Sequence, residues 1–348
     1  MYSSSLQRSS RPVAIWLLVG VGMIMIQVLL GGITRLTGSG LSITEWKPIL
    51  GAFPPMTEEK WQIAFDKYKE IGQFKHINFD FNLQDFKFIY FWEWLHRDWG
   101  RLIGIVFVIP FLIFLIRRQI RKEMVIPLIT LFLLGGLQSV IGWIMVKSGL
   151  NENDIHVDHV RLAIHFLAAL GLLCYTLWFA LKLLVGPHEF VTNSYLKKFT
   201  GWLLALLSIQ LLYGAFMAGL KAGVSAPTWP TINGYWLPQH SGKSWVNDSI
   251  NVQFIHRGIA YLLTILIGVW WWKAGKVNGS RLFNKTRFLP MLMVLIQVVL
   301  GVFTVIYSPH PKALLWLGAA HQFVAMLLLM ILVWMYYLLR SKTFSPGS

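Results

Sequence analysis

Charge is scarce in this sequence. Charged residues fill 13% of its 348 positions, where a soluble domain carries about 25%. A chain so poor in charge cannot cover a water-exposed globule. Acid is scarcer still: 15 Asp and Glu stand against 31 Lys and Arg, a formal net charge of +16. In a soluble protein that excess would suggest nucleic acid. Here the basic residues sit in short stretches between apolar blocks, where they set topology and meet anionic lipid headgroups. No nucleic-acid partner is expected. Cysteine is nearly missing, with Cys174 alone inside an apolar run. No disulfide, thiolate zinc site or iron–sulfur cluster can therefore form within one chain, and Cys174 reads as helix packing. Residues 1–12 hold no acid, are few for an organelle transit peptide, and lead to no small-residue cleavage site. The first apolar helix is thus expected to be retained, in a bacterial plasma (inner) membrane.

Apolar residues are what the chain has in plenty: 55% of positions, with a mean hydropathy of +0.57. They fall into eight runs, at 13–34, 93–116, 124–146, 159–184, 199–220, 252–272, 288–307 and 313–339. Each is near the ~20 residues that cross a hydrocarbon core. Arg117, Arg118, Arg121 and Lys122, then Lys197 and Lys198, then Lys273, Lys276, Arg281, Lys285 and Arg287 mark the connections on one side. The connections on the other side are poor in basic residues for their size. Both termini are therefore expected in the cytoplasm. The long outer loop 35–92 mixes charges and carries Trp46, Pro48, Pro54 and Pro55. It reads as an ordered cap with an amphipathic segment near 58–71.

The chain repeats itself. Gln27-x3-Gly31 matches Gln210-x3-Gly214 at an offset of 183, and Gly40, Ser42, Trp46, Gly51 and Pro55 fall on Gly223, Ser225, Trp229, Gly234 and Pro238. His96-Arg97 matches His256-Arg257; Gln138 and Gly142 match Gln297 and Gly301; His165 and Trp178 match His321 and Trp334. The expected fold is an all-α integral membrane protein of eight transmembrane helices. They form two tandem four-helix bundles related by a pseudo-twofold axis along the membrane normal, since an even number of helices separates the copies. The expected divisions are a cytoplasmic N-terminus (1–12), a first bundle (13–184), a cytoplasmic linker (185–198), a second bundle (199–339) and a cytoplasmic tail (340–348).

Six histidines, His76, His156, His159, His188, His240 and His310, fall in loops or at helix edges and read as solvated or interfacial. His96, His165, His256 and His321 differ. Each lies early in an even-numbered helix, so all four share one depth near the outer surface. Ionisable groups at such positions are costly and usually functional. Two facing histidines in a four-helix bundle supply two axial nitrogens to a haem iron, whereas zinc would want three or four ligands. Haem ligation by one pair per repeat follows.

Arg97, Arg101, Arg161 and Arg257 lie beside these histidines. They read either as interfacial anchors or as partners for haem propionates. Gln27, Gln138, Gln210 and Gln297 read as interhelical hydrogen-bonding residues or as pocket lining. The halves differ at one position. Glu93 sits three residues before His96, on the same helical face, and its counterpart is Gln253. Glu93 is either a capping carboxylate favoured by the helix dipole or a group that acts on a reacting substrate. The asymmetry suggests that one site does chemistry while the other keeps a permanent cofactor.

The run Gly31-Gly32-Ile33-Thr34-Arg35-Leu36-Thr37-x-Ser39-Gly40-Leu41-Ser42, followed by Glu45-Trp46-x-Pro48 and Gly51-x-x-Pro54-Pro55, resembles the first-loop signature of haem A synthases. Glu93-Trp94-x-His96-Arg97-x-x-Gly100-Arg101 resembles their second-helix motif, and His165, Phe254-x-His256-Arg257 and His321-Gln322 stand where the other family histidines fall. The resemblance spans nearly the whole chain. It implies an oxidoreductase that turns a methyl group of haem O into the formyl group of haem A, the haem of terminal cytochrome oxidases, with oxygen from water. It implies haem b as cofactor on His256 and His321, substrate haem at His96 and His165, and a functional Glu93. Haem O synthase, cytochrome oxidase assembly proteins, membrane lipid and a second copy of the chain are the implied partners. The cysteine pair that some bacterial members carry in the first outer loop is missing, which aligns the chain with the branch shared by mitochondria and their bacterial relatives. Two rival readings remain. A di-haem, quinone-linked electron carrier would share all four histidines but need no Glu93 in one half only. A repeat-built transporter would place its ionisable groups near the midplane.

Overall fold

A computed structural model describes residues 2–46, 51–238 and 244–341, with the side chains of 11–46 in the first stretch. Pro48 and His240 therefore lie outside the described residues. The elements are α1 (Tyr2–Leu36), α2 (Glu58–Lys69), α3 (Gly72–His76), α4 (Leu83–Ile116), α5 (Lys122–Lys147), α6 (His159–Leu184), a 3-10 turn (Pro187–Glu189), α7 (Ser194–Gly219), α8 (Ala222–Ser225), α9 (Ser249–Gly275), α10 (Arg281–Thr286), α11 (Leu289–Ile306) and α12 (Pro311–Leu338). No strand occurs among the described residues. Eight segments are long and apolar enough to cross a membrane: α1, α4, α5, α6, α7, α9, α10 with α11, and α12. The protein is a multi-pass membrane protein.

Apolar residues at helical spacing set the packing. Leu170, Leu173, Leu177 and Leu181 of α6 meet Leu203, Leu207 and Leu211 of α7, Leu263, Ile267 and Trp270 of α9, and Met326, Leu329 and Leu332 of α12 in one buried cluster. Trp270 donates its indole N–H to Thr200 Oγ1 at 2.9 Å, so this buried polar group is matched. The contacts between helices come in corresponding sets. α1 packs on α4 and α6, and α5 on α6; α7 packs on α9 and α12, and α11 on α12. Between these groups α6 meets α7, α12 meets α1, and α6 meets α12.

The amphipathic stretch near 58–71 is α2, capped by Thr57, whose hydroxyl accepts from Lys60 N. With α3 it forms a cap in which Phe65, Tyr68 and Ile71 bury against Leu41, Phe86 and Ile89. This is the cap end of the molecule.

Helix α4 departs from expectation. It starts at Leu83, ten residues before Glu93, behind a capping box in which Asn82 accepts from Gln84 N and Asp85 N while Asp85 accepts from Asn82 N. Glu93 is therefore an interior helix residue. Its capping reading is wrong, because α4 begins ten residues earlier, where Asn82 takes two of the orphan amides of the first turn. The start was missed because residues 83–92 rise beyond the apolar run.

Candidate functional site

All four singled-out histidines lie in the cap-end halves of α4, α6, α9 and α12, and each ring sits against the preceding long helix in the same way. A Cβ on Gly31 would stand 3.1 Å from His96 Cε1, on Gly142 2.8 Å from His165 Cε1, on Gly214 3.4 Å from His256 Cε1, and on Gly301 3.0 Å from His321 Cε1. Four residues before each glycine, on the same helical face, stands a glutamine. Gln27 donates to His96 O at 3.1 Å, and Gln138 to His165 O at 2.8 Å with its Nε2 3.1 Å from Nδ1 of that ring. The Nε2 atoms of Gln210 and Gln297 lie 3.4 Å and 3.2 Å from Nε2 of His256 and His321. The glutamines thus bridge helices and also touch the histidine sites. The sequence repeat carried the Gln-x3-Gly pattern; its use as a seat for a ring is what the packing adds.

The second-half pair faces itself closely: the rings of His256 and His321 have centroids 6.4 Å apart, inclined at 70°. Two imidazoles bound to opposite faces of one iron need centroids about 6 Å apart, with metal–nitrogen bonds of about 2 Å. His96 and His165 are close enough to interact electrostatically. Nδ1 of His96, His256 and His321 and Oε1 of Gln27, Gln210 and Gln297 are buried without a hydrogen-bond partner among the described residues. Buried polar atoms are seldom left so. Among the described residues no cluster of three or more His, Cys, Asp or Glu side chains forms. A two-imidazole donor set at this spacing fits haem iron.

Glu93 is buried at 2% exposure. One carboxylate oxygen accepts from Ser42 Oγ at 2.7 Å and from Ile43 N at 2.9 Å; the other accepts from Arg97 at 2.5 Å. Arg97 also donates to Ile43 O at 2.9 Å and Glu45 O at 3.2 Å. One turn of α4 thus clamps the segment that follows α1. The second half repeats the device without the acid. Gln253 donates to Ala222 O at 3.0 Å and Ala226 O at 3.3 Å, and Arg257 donates to Ala226 O and Thr231 O, both at 3.2 Å. Arg101 pairs with Asp98 at 3.5 Å, and Arg161 donates to Ile144 O at 3.3 Å.

The sequence did not disclose that Ser42 and Ile43 hold Glu93, since 42 and 93 share no local pattern. It also gave no sign of a link between the two pairs. Gln322, next to His321, lies against Gly32 and donates to Val28 O at 2.9 Å. Gly32 neighbours Gly31, on which His96 rests. In the matching place Phe166, next to His165, packs against a cluster that includes Ala215, beside Gly214. Of the edge histidines, His159 packs edge-on against Phe216 and His156 is partly buried.

A family model described as a cytochrome oxidase assembly protein, COX15-CtaA, matches residues 14–333. Proteins named heme A synthase are similar along most of their length. That of Rhodospirillum centenum is 40% identical over 346 residues, covering 96% of this chain and 91% of its own. That of Flavobacterium johnsoniae is 40% identical over 334 residues, covering 93% and 96%. That of Parvibaculum lavamentivorans is 42% identical over 327 residues, covering 92% of each. With eight membrane-crossing helices and four histidines seated alike, the chain belongs to the COX15-CtaA family of cytochrome oxidase assembly proteins.

Proposed function

We propose that the protein is a haem A synthase, which oxidises a methyl group of haem O to the formyl group of haem A for a terminal oxidase. The balanced change is R–CH3 + H2O → R–CHO with release of four electrons and four protons, which pass to an acceptor outside the chain. The observation that carries the reading is the pair of equivalent histidine seats with a carboxylate, Glu93, at only one of them. In this reading His256 and His321 hold a resident haem b, and His96 and His165 hold the iron of the substrate haem. Haem b, when bound, supplies a one-electron redox centre.

The chain's own residues do the rest. The glycines admit the imidazole rings, and the glutamines fix their height against the helix. Glu93 stands one turn before His96, and Ser42 and Ile43 set its direction. From there its negative charge favours positive charge developing at the reacting carbon, or it orients and deprotonates water. Arg97, Arg101, Arg161 and Arg257 are candidate partners for propionates, Arg97 and Arg257 with part of their donor set already given to loop carbonyls. The haem end faces the outside of a bacterial plasma membrane and both termini face the cytoplasm. Haem O synthase, oxidase assembly factors and further copies of the chain are the expected partners.

Extracting and identifying the haems of the purified protein tests this. Haem b together with haem O or haem A is expected. Haem b alone at both sites would favour the di-haem electron carrier.

A further inference from the structure

At the cap end, where α1, the α5–α6 connection and the end of α7 meet, two cationic side chains and an imidazole gather with no acid among them. Arg35 reaches from α1 and donates one guanidinium N–H to Gly219 O, the last residue of α7, at 2.9 Å. Lys221 stands two residues further on, near enough for the charge of Arg35 to act on it. His156 senses both: its imidazole is pushed down to about 4, first by burial and then by the positive charges of Lys221 and Arg35. Among the described residues no ion pair joins any of the three to a carboxylate. The acids of the same connection are committed elsewhere, Glu152 to Lys75, Asp154 to Asn151 and Asp158 to the amide of Arg161. Like charges crowded in a partly buried place oppose one another.

Two comparisons between the repeats show that neither cation has a charged counterpart. Arg35 follows Gly31 by four residues, so it lies on the face that supports His96, about 5.4 Å nearer the cap end. Its counterpart at the offset of 183 is the uncharged Ala218. Lys221 occupies left-handed backbone at φ 52, where its counterpart Gly38 sits at φ 70. Glycine adopts that conformation freely and lysine does not, yet a lysine stands there.

We propose that Arg35, Lys221 and His156 form a binding site for a carboxylate, and that this carboxylate is a propionate of the haem held by His96 and His165. The proposal rests on the haem reading above. Arg35 uses one of its five donors on Gly219, so a carboxylate can take others in charge-assisted hydrogen bonds. The site then fixes which edge of the substrate points to the cap end, and with it which substituents come near Glu93. A phosphate of an anionic lipid offers the same chemistry, and the experiment separates the two.

The full-length protein, held in discs of phosphatidylcholine, is titrated with haemin and with haemin dimethyl ester, and the Soret band is followed. The parent is expected to bind the free acid about 10-fold or more tighter than the ester. Arg35→Gln and Lys221→Gly should each bring the two affinities together, while Arg35→Lys keeps most of the difference. Lys221→Gly also relieves the left-handed lysine, so its thermal midpoint should hold or rise while the discrimination falls, a split that a purely structural role would not give. Equal affinities in the parent, or an unchanged ratio in both neutral variants, overturn the site. In discs containing phosphatidylglycerol the preference should persist; its loss there in the parent assigns the cations to a lipid phosphate and overturns the propionate. Haemin binding that ignores His96→Ala overturns the haem reading together with the site, whereas binding that depends on His96 but not on the propionates overturns the site alone.

Discussion

The two halves of this molecule seat their histidines alike and differ at a few positions beside them. Glu93 and Arg97 clamp the segment after α1, and Gln253 and Arg257 clamp the segment after α7 by donating to its carbonyls, without the negative charge. Packing differs too. α9 buries Leu263, Ile267, Trp270 and Ala274 and packs on α11. α4 buries only Phe86, Ile89 and Glu93, all at its cap end, and meets α5 through the stacked rings of Phe107 and Phe132. Only the first half carries the acid, and in the proposed function it is the half that takes the substrate haem. The proposed division of labour thus needs only a few positions, without a new fold.

Exchanging the distinguishing residues should break the comparison most sharply. Glu93→Gln removes the charge and the proton acceptor while keeping size, and the ratio of haem A to haem O in membranes holding equal protein should fall about 100-fold or more. Ser42→Ala loosens the hold on that carboxylate without touching it and should cost several-fold at most. If the two variants behave alike, Glu93 serves the loop and not the reaction. Gln253→Glu should create no second reacting site; it loses two donors to buried carbonyls and should lower stability by about 1–3 kcal/mol, read from thermal melts.

The glycine seats sharpen the comparison further. Alanine at Gly142 or Gly301 presses on a ring at 2.8 or 3.0 Å, whereas at Gly214 the contact is an ordinary 3.4 Å. Overpacking of this kind costs about 1–3 kcal/mol. Gly301→Ala should therefore displace the low-spin haem b spectrum and Gly214→Ala should leave it nearly unchanged, while Gly142→Ala should depress haem A formation and spare haem b. Equal spectra in Gly301→Ala and the parent would show that the glycines do not seat the rings. Smallest is Asn82→Ala, which removes the capping box of α4 at a cost of about 1 kcal/mol and should alter neither haem.

Much of this could be read from residues alone, for identifiable reasons. The eight spans were legible because twenty apolar residues in a row have few other uses. The four histidines were legible because the repeat set them at one depth. The start of α4 was not, since Leu83–Trp92 mixes polar and aromatic residues and its capping box stands outside the apolar run. The partners of Glu93 were not, because hydrogen bonds from 42 and 43 to 93 are tertiary contacts with no periodic trace. The gathering of Arg35, His156 and Lys221 escaped for the same reason: three connections far apart in sequence meet only when the halves pack.

The division of labour is tested most directly by the haem content of two purified variants, His165→Ala and His321→Ala, each compared with the parent by extraction and by its low-spin absorption. The account predicts that His165→Ala keeps its haem b but makes no haem A, and that His321→Ala loses haem b while the chain still inserts. Loss of most haem b from His165→Ala, with His321→Ala unaffected, would contradict it.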